Sequence, residues 1–176
     1  MKSVIKELIP YVIILITVAL IRSFIVTPIT VVGDSMVPNL HDNELLLLSK
    51  ISYKIHDIKR YDVVVIKEED WIIKRVIGLP KDNVSYYNGK LFINGKSVTD
   101  NYGYGVTSDF DLNDICYITK GLKCPINEIP EGYYLVLGDN REISKDSRSV
   151  GLIKEKEIKG KAFVRFWPIN KISLVK

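Results

Sequence analysis

Metal-binding and cross-linking residues are scarce in this sequence. Two cysteines, Cys116 and Cys124, and two histidines, His41 and His56, are all that 176 residues hold. Neither pair has the spacing of a zinc site, so a chemistry without metal or cofactor is expected. Two cysteines cannot build a disulfide framework. Proline and glycine are modest, at 7 and 11 residues, while 47% of the chain is apolar and 26% charged. That balance excludes disordered and collagen-like sequence. No repeat stands out, which excludes a solenoid. An excess of one charge is missing too. The net charge is +4, and about half of it comes from Lys2, Lys6 and Arg22 against Glu7 in residues 1–26. The near-neutral remainder lacks the basic stripe of a nucleic-acid binder. The longest basic cluster, Lys50 to Arg60, is broken by Asp57 and by apolar residues and reads as a solvated face.

One long hydrophobic run is present. Leu8 to Ile21 carries no charge, and the apolar stretch continues to Val26 past Arg22 and Ser23. At about 1.5 Å per residue, 8–26 spans roughly 28 Å, close to a hydrocarbon core of about 30 Å. Arg22 sits near one end, where it can snorkel to headgroups. A cleaved signal peptide needs small residues in an A-x-A-like site, and ALIRSFIV offers none. A buried core helix competes for a run of this length. A retained membrane anchor over 1–26 is the expectation. Lys2 and Lys6 precede it, so its amino terminus is expected in the cytoplasm. Residues 27–176 would form an extracytoplasmic domain at the plasma membrane.

That domain reads as β-rich. Glu44–Leu48, Tyr61–Lys67, Trp71–Leu79, Tyr133–Leu137 and Lys161–Trp167 are short apolar runs of strand length with turn residues nearby. Asn88–Gly89 and Asn94–Gly95 lie between apolar runs and predict two hairpins, because a type I′ turn needs positive φ twice. The expected fold is mainly β: a single transmembrane helix followed by a β-sheet or β-barrel-like domain. Residues 100–128 are polar and irregular and read as an insertion or surface excursion. Both cysteines lie there, either as a small disulfide, which an extracytoplasmic location permits, or as free thiols.

Three segments can carry chemistry. In GDSMVPNL (33–40), Ser35 either closes a turn or acts as a nucleophile, which needs a base in reach. In WIIKRVIGLPKD (71–82), Lys74 interrupts an apolar strand. An exposed edge lysine is the plain reading. A buried one loses charge, because desolvation disfavours the ammonium. An ordinary lysine is neutral in only about 0.04% of molecules at pH 7, and lowering its pKa by about 3 makes it a competent base. Arg75 alternates to the other face and stays charged. In GDNREISKDSR (138–148), a dense set of bridging side chains follows an apolar strand, as either a surface loop or a supporting shell.

Together these segments resemble the type I signal peptidases, over nearly the whole chain. Ser35, Met36, Val37 and Pro38 match the family's Ser-Met-x-Pro-Thr box, with Asn39 in place of Thr. Lys74 to Asp82 match its lysine box, with Lys81 in place of Gly. Gly138 to Arg148 match the third box in full. The single anchor and short body resemble the Gram-positive branch. The resemblance implies a serine endopeptidase in which Ser35 attacks the carbonyl at a signal-peptide cleavage site and neutral Lys74 takes its proton. The Ser35 backbone N–H would donate to the oxyanion. Many Gram-negative relatives add a serine two positions earlier, where this chain has Gly33. The resemblance further implies that Ser144 orients Lys74 and that Asp139, Asp146 and Arg148 hold the site together. Ile29, Val31, Met36, Leu40, Ile72 and Ile73 would line shallow pockets for small residues at −3 and −1. Preproteins and the lipid bilayer are the implied partners, with the secretion translocon a further candidate.

Two other classes compete. A self-cleaving repressor-type Ser–Lys protease shares a related fold, but is soluble and carries an internal cleavage dipeptide that this chain lacks. A silent membrane-anchored binding domain would have lost Ser35 or Lys74, and both are present.

Overall fold

The computed structural model describes residues 2–67 and 70–176. Helix α1 runs Lys2–Phe24 and leads directly into strand β1, Val26–Thr30. Pro10 lies within α1. The described apolar side chains of α1, such as Leu8, Val12, Leu15 and Leu20, are half or more exposed. The expected spanning helix falls on α1. Among the described residues, no helix is long and apolar enough to cross a membrane.

The rest of the chain is mainly β. Strand β2 is Leu45–Ser49, followed by the single-turn helix α2, Ser52–Ile55. Then come β3, Val63–Lys67, and β4, Trp71–Gly78. A small antiparallel sheet follows, made of β5 (Val84–Tyr87), β6 (Lys90–Ile93) and β7 (Lys96–Val98). Its turns are the two Asn-Gly pairs, with positive φ at Asn88, Gly89, Asn94 and Gly95, as type I′ geometry demands. Helix α3 is Leu112–Ile118, β8 is Tyr133–Leu137, and the short helix α4 is Ser147–Val150. The chain closes with β9 (Ile153–Lys154), β10 (Ile158–Trp167) and β11 (Ser173–Leu174).

The large sheet has the order β1-β2-β10-β3-β4-β8-β9, with β11 on β10, and every pairing is antiparallel. Strands β3 and β4 lie inside it and are buried almost throughout. That is why their sequences are nearly unbroken apolar runs, without the alternation of a half-solvated strand. Met36 and Leu40 pack into one core with Val31, Leu46, Leu48 and Val63. The segment after β1 is thereby fixed against the sheet.

The span 100–128 contains α3, which the sequence reading left as irregular chain. Asp111 caps it, accepting from the N–H groups of Asn113 and Asp114, while Asp114 accepts from the N–H of Asp111. Leu112 and Ile115 are buried in the core that joins the small sheet to β4 and β8. Three and four residues apart, Leu112, Ile115 and Cys116 form one apolar helix face. Cys116 and Cys124 are joined as a disulfide, which settles the open alternative of free thiols.

Candidate active site

Ser35 lies in the turn after β1. Lys74 lies in the middle of β4. Lys74 is only 3% exposed, and its Nζ donates to Ser35 Oγ at 2.7 Å and to the Ile73 carbonyl at 2.9 Å. Burial pushes its pKa down from 10.5 to about 8, opposed by the attraction of the Asp146 and Asp139 carboxylates. About one molecule in ten is then neutral at pH 7. The Ser35 backbone N–H makes no hydrogen bond among the described residues.

A cleft of about 470 Å³ opens over this pair. Ile29, Val31, Ile72 and Ile73 line it with apolar side chains, together with Gly33, Ser35, Met36 and Lys74. Leu40, expected as a pocket residue, does not line it. It is buried in the core beneath, because its N–H bonds to the Met36 carbonyl and turns the side chain inward. Rim residues absent from the sequence reading are Val32, Trp71 and Ile143, each more than half exposed.

The third box packs against the Ser35 turn. The Asn140 N–H donates to the Ser35 carbonyl at 3.0 Å. Asp146 caps α4 and accepts from the Gly138 N–H at 2.9 Å and from Arg148 Nη2 at 2.8 Å. Gly138 is required by space: an added Cβ would stand 2.1 Å from Ser144 Oγ and 2.5 Å from the Ser35 carbonyl oxygen. Ser144 Oγ is buried without a hydrogen-bond partner. It stands beside Gly138 and makes no hydrogen bond to Lys74, in contrast to the orienting role expected for it.

Behind the pair lies an ion pair of which the sequence reading named only Asp139 as a site residue. Arg75 and Asp139 are fully buried and bidentate, at 2.8 and 2.7 Å. Arg75 Nη1 also donates to the carbonyls of Tyr61 and Lys176, and the guanidinium sits 3.9 Å from the centre of the Tyr102 ring. Asn39 Nδ2 donates to the same Asp139 carboxylate at 2.9 Å. The departure from Thr at this position therefore serves a buried carboxylate rather than its own turn backbone. Arg141, buried as well, donates to the Gly138 carbonyl and pairs with Asp100. The available signal for Arg75 and Arg141 was a charge in or beside an apolar strand, which demands a buried partner.

Among the described residues no cluster of His, Cys, Asp or Glu could hold a metal ion. The chain as a whole is similar to known proteins. Signal peptidase IB of Staphylococcus aureus (strain COL) is 39% identical over 96% of this chain and 92% of its own length. Signal peptidase I of Bacillus caldolyticus is 37% identical over 93% of this chain and 92% of its own. The crystal structure of a signal peptidase I from Enterococcus faecalis V583 superposes with a TM-score of 0.51 at 32% identity, covering 61% of this chain and 97% of that one. These likenesses define the class, a serine endopeptidase. The chain belongs to the family described as signal peptidase, peptidase S26, which matches residues 3–167.

Proposed function

We propose that this protein is a membrane-anchored signal peptidase that removes signal peptides from preproteins with Ser35 as nucleophile and Lys74 as general base. The observation that carries the reading is the 2.7 Å contact between a buried lysine amine and Ser35 Oγ in an apolar cleft. In the neutral form of Lys74, the Ser35 hydroxyl donates to Nζ. The oxygen then attacks the scissile carbonyl as Nζ takes the proton. The free Ser35 N–H donates to the developing oxyanion. Nζ returns the proton to the leaving amine, and an acyl-enzyme on Ser35 remains. Water activated by the same amine hydrolyses it.

Asp139, Asp146 and Arg148 act at one remove by holding Asn39, Gly138 and the loop in place. Ser144 supports the loop through its packing on Gly138. The apolar cleft walls suit small residues at −3 and −1. The anchor reading is supported by the uncharged run Leu8–Ile21 and by the outward-facing apolar side chains of α1. The catalytic domain then stands outside the cytoplasm, with Ser35 close to the bilayer surface. Confinement to the membrane raises the effective concentration of the encounter with substrate.

The test is cleavage of a preprotein bearing an Ala-x-Ala site, in vesicles, by wild type, Ser35→Ala and Lys74→Ala. Cleavage by wild type alone is expected, with each variant down by about 10³-fold or more. Processing by either variant at the wild-type rate would remove the pair from the mechanism.

A further inference from the structure

The basic cluster that begins at Lys50 has no part in the chemistry above, and the fold gives it a definite place. The Lys50 N–H donates to the Ile25 carbonyl at 2.9 Å, one residue beyond the end of α1. In the sheet, Val26 pairs with Ser49 and Ser49 with Lys161. Gly160 lies so close to this corner that an added Cβ would stand 2.1 Å from the Ser49 carbonyl oxygen. Lys159 is thus carried beside α2. Lys50, Lys54 and Lys159 line one shallow cavity of about 210 Å³, in which Glu155 is the only acidic wall among the described residues. Lys54 and Lys159 are exposed, and so is Arg22. Lys161, next along β10, is paired with the Asp62 carboxylate, whereas the exposed Lys159 Nζ pairs with no carboxylate among the described residues and donates to the Lys156 carbonyl at 2.7 Å. Ile25, just past α1, and Ile55, beside Lys54 in α2, are 39% and 66% exposed.

Cations gathered around the point where an anchor enters the domain, interleaved with exposed isoleucines, have the composition of a surface that meets lipid headgroups. We propose that Arg22, Lys54 and Lys159 form a docking face for anionic phospholipid headgroups. This face fixes the tilt of the domain on the bilayer and the height of the cleft above it. The ammonium groups donate to phosphate oxygens in charge-assisted bonds. The isoleucines settle at the headgroup boundary. The proposal rests on the anchor reading of α1.

Lysine footprinting tests it on the full chain, reconstituted in vesicles of phosphatidylcholine alone or with about one third phosphatidylglycerol. A membrane-impermeant amine-acylating reagent is applied, and each lysine's modification rate is read by mass spectrometry. Lys54 and Lys159 should react about fivefold more slowly in the anionic vesicles. The protection should vanish at 1 M salt, where the Debye length is about 3 Å. Lys90 and Lys96, exposed on the second sheet, should react alike in both. Equal rates for Lys54 and Lys159 in the two vesicles would overturn the proposal. In a second readout, wild type should cleave faster in anionic than in phosphatidylcholine vesicles; Lys54→Gln/Lys159→Gln should equal wild type in detergent and lose half or more of that advantage. An undiminished advantage would also overturn it. Release of the chain from phosphatidylcholine vesicles by alkaline carbonate would instead sink the anchor reading, whatever the footprint.

Discussion

Lys74 joins the local environment of a side chain to the rate of a reaction. Its ammonium has left water for a cleft lined by isoleucine, and the two nearby carboxylates recover only part of the lost solvation. With a pKa near 8, the base form grows about tenfold per pH unit below that value and saturates above it. The kcat/KM profile of the free enzyme should therefore rise about tenfold from pH 6 to 7 and level off above about pH 9. A flat profile between pH 6 and 8 would exclude Lys74 as the titrating base. Lys81 is a second position where a single residue decides. It holds a φ of 70° in the turn closed by Asp82, whose carboxylate accepts from the Leu79 N–H. Left-handed backbone costs a non-glycine residue about 1 kcal/mol. The exposed Lys81–Glu131 pair offsets little of that. Lys81→Gly should raise stability by up to about 1 kcal/mol in urea unfolding, with cleavage unchanged.

Elements differ in how clearly they could be read before folding. Strands β2, β3, β4, β8 and β10 and the two Asn-Gly hairpins were legible, because buried strands are apolar runs and a type I′ turn has a sequence signature. Strand β1 was hidden because it starts at Val26, where the hydrophobic run ends, and apolar content alone does not separate a helix end from a strand start. Helix α3 was missed because a seven-residue helix shows its period only once. Its signals were the Asp111–Asp114 capping box and the apolar spacing of Leu112, Ile115 and Cys116. The 138–148 loop was legible as a site segment, but its manner of working was not. Gly138 is the contact point of Ser144 and the Ser35 backbone, which no spacing along the chain announces. Gly138→Ala should force the two apart and lower kcat by at least about tenfold. The secondary structure in circular dichroism should stay intact. Wild-type activity in that variant would mean the loop yields freely.

At the scale of the whole molecule, the Arg75–Asp139 pair ties the site to distant parts of the chain. It reaches the nucleophile segment through Asn39, the approach to β3 through the Tyr61 carbonyl, the 100–105 stretch through the Tyr102 ring, and the last residue through the Lys176 carbonyl. Removing one member of a buried pair strands the other charge without solvent, at a cost of about 3–5 kcal/mol. Asp139→Ala should lose that much stability in urea unfolding and should lose activity with it. A loss below about 1 kcal/mol would mean that water reaches Arg75 in the variant. Leu40 makes the same point from the other direction. Its place in the Ser35 box suggested a pocket wall, yet the core under the turn claims it.

Chain order alone determined the β character of the body, the hydrophobic amino-terminal run, and the three boxes that hold Ser35, Lys74 and the 138–148 loop. These are written in periodicity, in turn residues and in contiguous motifs, all of which are local. Only the tertiary structure decided that residues 35 and 74 meet at 2.7 Å, that Asn39 and Arg75 share one carboxylate, and that Lys159 joins Lys50 and Lys54 beside α1. Each depends on strand order and register, and so on which apolar faces are buried against one another. Burial also sets the charge state of Lys74, and burial belongs to the packed molecule rather than to any segment of its sequence.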